Sequence, residues 1–310
     1  MSLSALNNPS LVSSAMAGLA LSLPSLEKVI QSGSIPWMGI KTLNAISYTI
    51  NLYAVSQPGR LDGPQQQKMV DNDLKGMDAE KGVSLVAPSG WSFAIWGPIF
   101  AGELSFTILQ FLIPESSSIT PIIKELSAPF ITGQLFQSLW CAAFRPKYEG
   151  SLMLISSAGL AGAAYSLSKV HSAYAFTRQG YTSLQYCLCF LPTSLHFGWL
   201  TAATLVNLNG AVARMTNCEK TIAVTGHLSV IVATIAGVGI TLSRGAPVYG
   251  GVISWALLAV ADGMKKRMEK AKKDDSVKGL YGALLQQRLS TLGAIVSFAS
   301  SIVTAYSLFT

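Results

Sequence analysis

Glu103 is the one acidic residue deep inside a long apolar stretch of this chain, the run 91–112. A carboxylate in hydrocarbon is expensive and is by default a functional candidate, so Glu103 is a candidate coupling site for a proton or an ion. Lys41, in the run 36–55, lies on the same side of the bilayer and is its expected partner. A structural Glu–Lys or Glu–backbone pair explains Glu103 equally well. His196 sits inside a second run, four residues after Pro192 and three before Trp199. Its plainest role is a packing histidine bonded to a carbonyl. His227 stands alone near the start of another run. No nucleophile–base–orienter set and no phosphate loop appears, so the chain reads as a protein without enzymatic activity. Cys187 and Cys189 form a lone C-x-C without a matching His/Cys cluster, which argues against a metal site.

The densest concentration of aromatic residues follows a turn. In Ala87-Pro88-Ser89-Gly90-Trp91-Ser92-Phe93-Ala94-Ile95-Trp96-Gly97-Pro98-Ile99-Phe100, Pro88 and Gly90 punctuate the loop, and Ser89 can cap the helix that follows. Phe93 and Trp96 are three apart and share a helical face. Pro98 is expected to break or kink the helix. Trp91 fits an interfacial aromatic belt. Trp96 and Phe100 lie deeper and imply an internal aromatic surface.

These residues need elements that hold them in a membrane. Hydrophobic residues make up 50% of the 310 and charged residues 12%, about half the charged share of a soluble domain at about 25%. That share suits a surface that meets lipid, and mean hydropathy is +0.43. A helix crossing a bilayer core of about 30 Å needs roughly 20 apolar residues, and eight runs qualify: 36–55, 91–112, 128–144, 151–169, 183–208, 221–242, 248–264 and 289–309. The expected fold is therefore an all-α, polytopic transmembrane helix bundle of about eight spans. Residues 1–35 read as a flexible arm or a surface helix.

Charge supports that count. With eight spans, the loops 56–90, 145–150, 209–220 and 265–288 share one side and hold 16 of the 22 lysines and arginines, as the positive-inside rule requires. The net charge of +7 is thus explained by topology, not by nucleic acid. The cluster Lys265-Lys266-Arg267 anchors the chain and can contact anionic headgroups. Asp262 and Arg288 flank that loop as an expected anchor pair. In the fourth run, Ala158 and Gly162 form a small-x-x-x-small pair that allows close helix approach, with internal packing the default and a homodimer contact the alternative.

The segment Pro88-x-Gly90-Trp91-x-Phe93-x-x-Trp96 resembles the Pro-x-Gly-Trp-x-Phe-x-x-x-Trp signature of the TspO/MBR family, the tryptophan-rich sensory or translocator proteins. Gln134-Leu-Phe-Gln137-Ser-Leu-Trp140-Cys-Ala-Ala-Phe144 resembles the family's third-helix pattern, with Gln137 where the family usually has Asn. Leu191-Pro192…Trp199-Leu-Thr-Ala202-Ala203…Asn207 resembles its fifth-helix pattern. The resemblance covers about residues 36–214, which implies a five-helix core over 36–214 and three extra helices over 215–310.

The resemblance also implies a pocket open toward the loop between the first two helices, with tetrapyrrole or sterol-like ligands. Pro88, Gly90, Trp91, Phe93, Trp96, Gln137, Trp140, His196, Trp199 and Asn207 are then the expected ligand-binding residues. Aromatic faces stack on flat conjugated rings, His196 can meet a tetrapyrrole metal or carboxylate, and Gln137, Asn51 and Asn207 can orient a polar edge. Those amides can equally bond helix to helix. The expected partners are membrane lipid and a lipophilic small molecule; no cofactor is obligatory, although a bound tetrapyrrole fits the resemblance. The expected role is transport, sensing or sequestration. The alternatives are an ion-coupled secondary transporter using Glu103 and a non-catalytic assembly subunit of a membrane complex. Which membrane holds the chain, an organellar one included, is not legible in these residues.

Overall fold

The computed structural model describes residues 8–61, 83–177, 186–275 and 277–309. Nine α-helices form among them: α1 (Pro9–Gln31), α2 (Trp37–Ser56), α3 (Trp96–Leu109), α4 (Thr120–Ala143), α5 (Met153–Thr177), α6 (Leu191–Met215), α7 (Glu219–Arg244), α8 (Pro247–Ala271) and α9 (Ala283–Phe309). Short 3-10 segments precede and follow α3, at Gly90–Ile95 and Gln110–Leu112, and a π-turn at Tyr186–Phe190 leads into α6. Residues 183–185, where the fifth run was expected to begin, lie outside the described residues, as does 62–82 of the loop 56–90.

Six helices are long and apolar enough to cross a membrane: α1, α3 with its 3-10 flanks, α5, α7, α8 and α9. The other three, α2, α4 and α6, carry most of the buried amides. Lys41, Asn44 and Asn51 on α2, Gln134 and Gln137 on α4, and His196, Asn207 and Asn209 on α6 are all buried. In lipid, a polar group must find its partner within the protein, so the helices richest in amides occupy the interior. Outward faces are aliphatic instead. On α9, for example, Leu292, Ile295, Phe298 and Ile302 are exposed.

The N-terminal stretch read as an arm or surface helix is α1, a full helix of 23 residues. Asn8 caps it by accepting the N–H groups of Ser10 and Leu11 at 3.0 and 3.3 Å, and Pro9 fills the first turn, where its missing N–H costs nothing. Val12, Met16, Leu23 and Ile30 are buried on a face that packs mainly against α4, and in part against α5. α1 meets α2 through a short turn, so its N-terminal end lies on the basic side of the membrane. With α1 included, the described residues hold nine α-helices, six of them long and apolar enough to cross a membrane, where eight apolar runs were expected.

α4 packs against α1, α2 and α5, while α5 carries the order on to α6. α3 lies between α2 and α6. α6 then contacts α7 and α8, and α7, α8 and α9 pack closely on one another. The expected break at Pro98 is a change of helix type: the 3-10 segment gives way to α-helix at Trp96, which leaves Pro98 in a first turn whose N–H groups have no intrahelical acceptor.

The small-residue face of α5 is one residue out of the expected register. Ala158 is exposed, and Gly159 and Gly162 face α4. A Cβ at Gly162 would lie 2.6 Å from the Phe136 ring, and one at Gly159 would lie 3.3 Å from the Trp140 Cα. Gly162→Ala is therefore expected to push α5 off α4 and cost about 1–3 kcal/mol, as overpacking does. Reversible unfolding in mixed micelles measures this, and an unchanged midpoint would show that the ring simply moves aside.

Candidate functional site

The 3-10 segment and the first turn of α3 bring Phe93 and Trp96 to one face, where both meet Trp199 of α6 edge-on at 5.7 and 6.1 Å. Trp96 also stacks on Phe100 at 5.2 Å, and Trp140 stacks on Phe144 at 5.4 Å. Pro88, Phe93, Trp96, Trp140, Trp199 and Asn207 line a common cavity of about 100 Å³. Its far wall comes from the last helices: Ser229, Val230 and Ala233 of α7, and Ile253, Ala256, Leu257 and Val260 of α8. These residues were not anticipated. Aliphatic side chains facing a cavity have the same sequence pattern as aliphatic side chains facing lipid.

Not all the expected ligand-binding residues meet there. Trp91 is 40% exposed and packs edge-on against Trp255 of α8 at 4.6 Å. Its indole N–H donates to Asp262 at 2.9 Å. Gly90 opens the 3-10 segment and does not line the cavity. Gln137 is fully buried beside Asn51, behind the aromatic wall. His196 touches Trp96 edge-on at 5.6 Å but does not border the space. Asn207 borders it with its amide already engaged: Oδ1 accepts the Trp140 indole N–H at 3.2 Å and the Ser156 hydroxyl, and Nδ2 donates to the Ala203 carbonyl at 3.1 Å. That arrangement ties α4, α5 and α6 together.

Beside the cavity runs a buried polar chain. The ring Nδ1 of His196 lies 2.6 Å from Glu103 Oε1. Glu103 Oε2 accepts from Gln134 Nε2 at 3.0 Å, and Asn51 Nδ2 donates to Gln134 Oε1 at 2.5 Å and to Gln137 Oε1 at 3.0 Å. Four helices, α2, α3, α4 and α6, are joined through it. The partner of Glu103 is thus His196 and not Lys41. Lys41 instead donates to the Ile113 carbonyl at 2.6 Å and lies 4.6 Å from the Trp37 ring centroid, where the chain leaves the helix and carbonyls are free. The expected carbonyl partner of His196 is likewise replaced by a carboxylate. His227 is bonded too, through Nδ1 to Gln286 Oε1 at 2.6 Å.

The non-helical segment 83–89 crosses the basic-side end of α8 and closes the cavity with Val86 and Pro88. Ser89 N–H donates to the Ala259 carbonyl at 2.9 Å, and Arg267 donates to the Ser84 carbonyl at 2.9 Å. Trp255 of α8 donates to the Ser92 carbonyl at 3.1 Å. Ser89 occupies the cap position, but its side chain makes no capping bond. Asp262, expected to pair with Arg288, pairs with Lys266 at 2.7 Å one helical turn away, while Arg288 points outward. Among the described residues no group of three His, Cys, Asp or Glu side chains is placed to hold a metal ion.

Nine helices with aliphatic outer faces, amide-bearing inner ones and an aromatic cavity between them define a multi-pass integral membrane protein. A family described as TSPO-like protein matches residues 42–281, most of the chain, and the protein belongs to that family. The match runs through α7 and α8 as well as the segment 36–214. Neither the curated proteins nor the solved structures include a match.

Proposed function

We propose that this protein binds a lipophilic ligand, of tetrapyrrole or sterol-like class, between its first six helices and α7–α8, for transport, sensing or sequestration and without enzymatic chemistry. The observation that carries this reading is the convergence of Phe93, Trp96, Trp140 and Trp199 on one apolar cavity closed by a non-helical segment rather than by a helix. Flat conjugated ligands stack on such faces. At about 100 Å³ the space is well below the roughly 300–1,000 Å³ of drug-sized ligand sites. At this volume a tetrapyrrole fits only when the segment 83–89 or the α8 wall withdraws.

Titration with a porphyrin, read by quenching of tryptophan fluorescence, tests the assignment. Trp96→Leu and Trp140→Leu are expected to keep the helical fold and to weaken binding at least about tenfold each, the loss that about 1.4 kcal/mol of stacking gives. Titrations indistinguishable from the parent protein's would remove the cavity as the site.

One observation favours a second reading. The His196–Glu103 pair is buried in the bundle, where ionisable groups mark proton paths. An ion-coupled transporter built on it predicts proton-driven uptake into vesicles that Glu103→Gln abolishes. Uptake that ignores the proton gradient would leave only the binding reading.

A further inference from the structure

A second space lies on another face of α4. Helices α1 and α2 both rest on α4 yet hardly touch each other, and the slot between them holds a cavity of about 480 Å³. Leu19 of α1, Ile50 and Ala54 of α2, and Leu135 and Leu139 of α4 wall it, and Arg145 stands at one end. The wall is mostly apolar, with Tyr53, Gln57 and Ser138 its other polar members, and a buried water needs two to four polar partners, so the aliphatic stretch of the slot does not suit water. An acyl chain needs only length and apolar contact.

The direction of the slot agrees with a lipid. Arg145 lies in the loop 145–150 on the basic side, and Leu19, Ile50 and Leu139 belong to the halves of α1, α2 and α4 nearest that side. The cavity therefore runs from the headgroup level into one leaflet. Arg145 Nε is tied to the Cys141 carbonyl at 3.2 Å, which fixes the guanidinium in place. Among the described residues no carboxylate pairs with it. Its planar fork matches a phosphate in two bonds at once.

We propose that this slot binds one anionic phospholipid of the basic-side leaflet, with an acyl chain on α4 between α1 and α2 and the phosphate on Arg145. The site is separate from the aromatic cavity and does not depend on its ligand. Native mass spectrometry of the full chain in detergent tests it, with phosphatidylglycerol and phosphatidylcholine of identical chains as probes and inorganic phosphate as a competitor. The parent protein should retain phosphatidylglycerol about fivefold better, the ratio expected for one basic residue at an anionic surface. Arg145→Gln should bring the two lipids to equal retention, and Ala54→Trp, which fills the slot, should lose both while its helical circular dichroism is unchanged. The proposal is overturned if Arg145→Gln keeps the preference, if a folded Ala54→Trp retains either lipid as before, or if phosphate alone displaces phosphatidylglycerol. Should Ala54→Trp not fold, Leu19→Phe replaces it with the same two outcomes.

Discussion

Replacing His196 with leucine is expected to cost about 1–3 kcal/mol of stability, the loss seen when a buried polar group is left without its hydrogen-bond partner. Glu103 is 2% exposed and His196 is fully buried. The carboxylate has two strong partners, the imidazole at 2.6 Å and the Gln134 amide at 3.0 Å. Without the imidazole, one oxygen faces an apolar site. That buried oxygen is then left without a hydrogen-bond partner, which is costly in a medium of low dielectric. The double variant Glu103→Leu/His196→Leu removes both groups and should recover much of the loss, since a buried pair replaced by apolar residues of similar volume is often neutral. Reversible unfolding of the two singles and the double gives the coupling directly. A His196→Leu loss below about 1 kcal/mol, in the range of an ordinary hydrogen bond, would show that the pair carries no special weight.

Gly263→Val is expected to open the closed cavity. A Cβ at Gly263 would lie 2.3 Å from the Ala87 carbonyl oxygen and 3.5 Å from the Ser89 nitrogen. These are backbone atoms with no rotamer to escape through, so the segment 83–89 must lift. Its bond from Ser89 to Ala259 and the clasp of Trp91 on Asp262 then weaken together. The variant should lose about 1–3 kcal/mol of stability. It should also bind a porphyrin faster, on the order of tenfold for a shift of about 1.4 kcal/mol toward the open form. Stopped-flow quenching separates the two effects. A destabilised variant with an unaltered association rate would mean that ligands do not enter past this segment.

Much of the bundle was legible because lipid imposes a simple rule on length and charge. α3, α5, α7, α8 and α9 announced themselves as apolar runs, and the basic loops ordered them. α1 was harder to place: its buried residues Val12, Met16, Leu23 and Ile30 form a narrow stripe among serines and alanines, and no basic residue marks its start. Within the site, the spacing of Phe93 and Trp96 and the motif positions of Trp140 and Trp199 foretold residues that do line one space. Trp91 did not follow, because position along a 3-10 turn does not reveal which neighbour takes an indole N–H, and Asp262 lies 171 residues away. The same distance in sequence hid the Glu103–His196 pair, 93 residues apart. Each partner was conspicuous by itself, but Lys41 was the nearer cation by bilayer side, and only packing shows that its stem reaches helix-end carbonyls instead.

The cavity's two walls are made at different times. The aromatic wall is complete once α6 has been synthesised through Asn207, whereas the opposite wall waits for Val260, roughly fifty residues later. Chains emerge N-terminal first at about 5–20 residues per second, so this interval lasts about 3–10 s. During it, Phe93, Trp96 and Trp199 border lipid, and a flat lipophile can reach them without parting any helices. After α8 has packed, the same molecule must displace the segment 83–89, which is held to α8 by hydrogen bonds at Ser84 and Ser89.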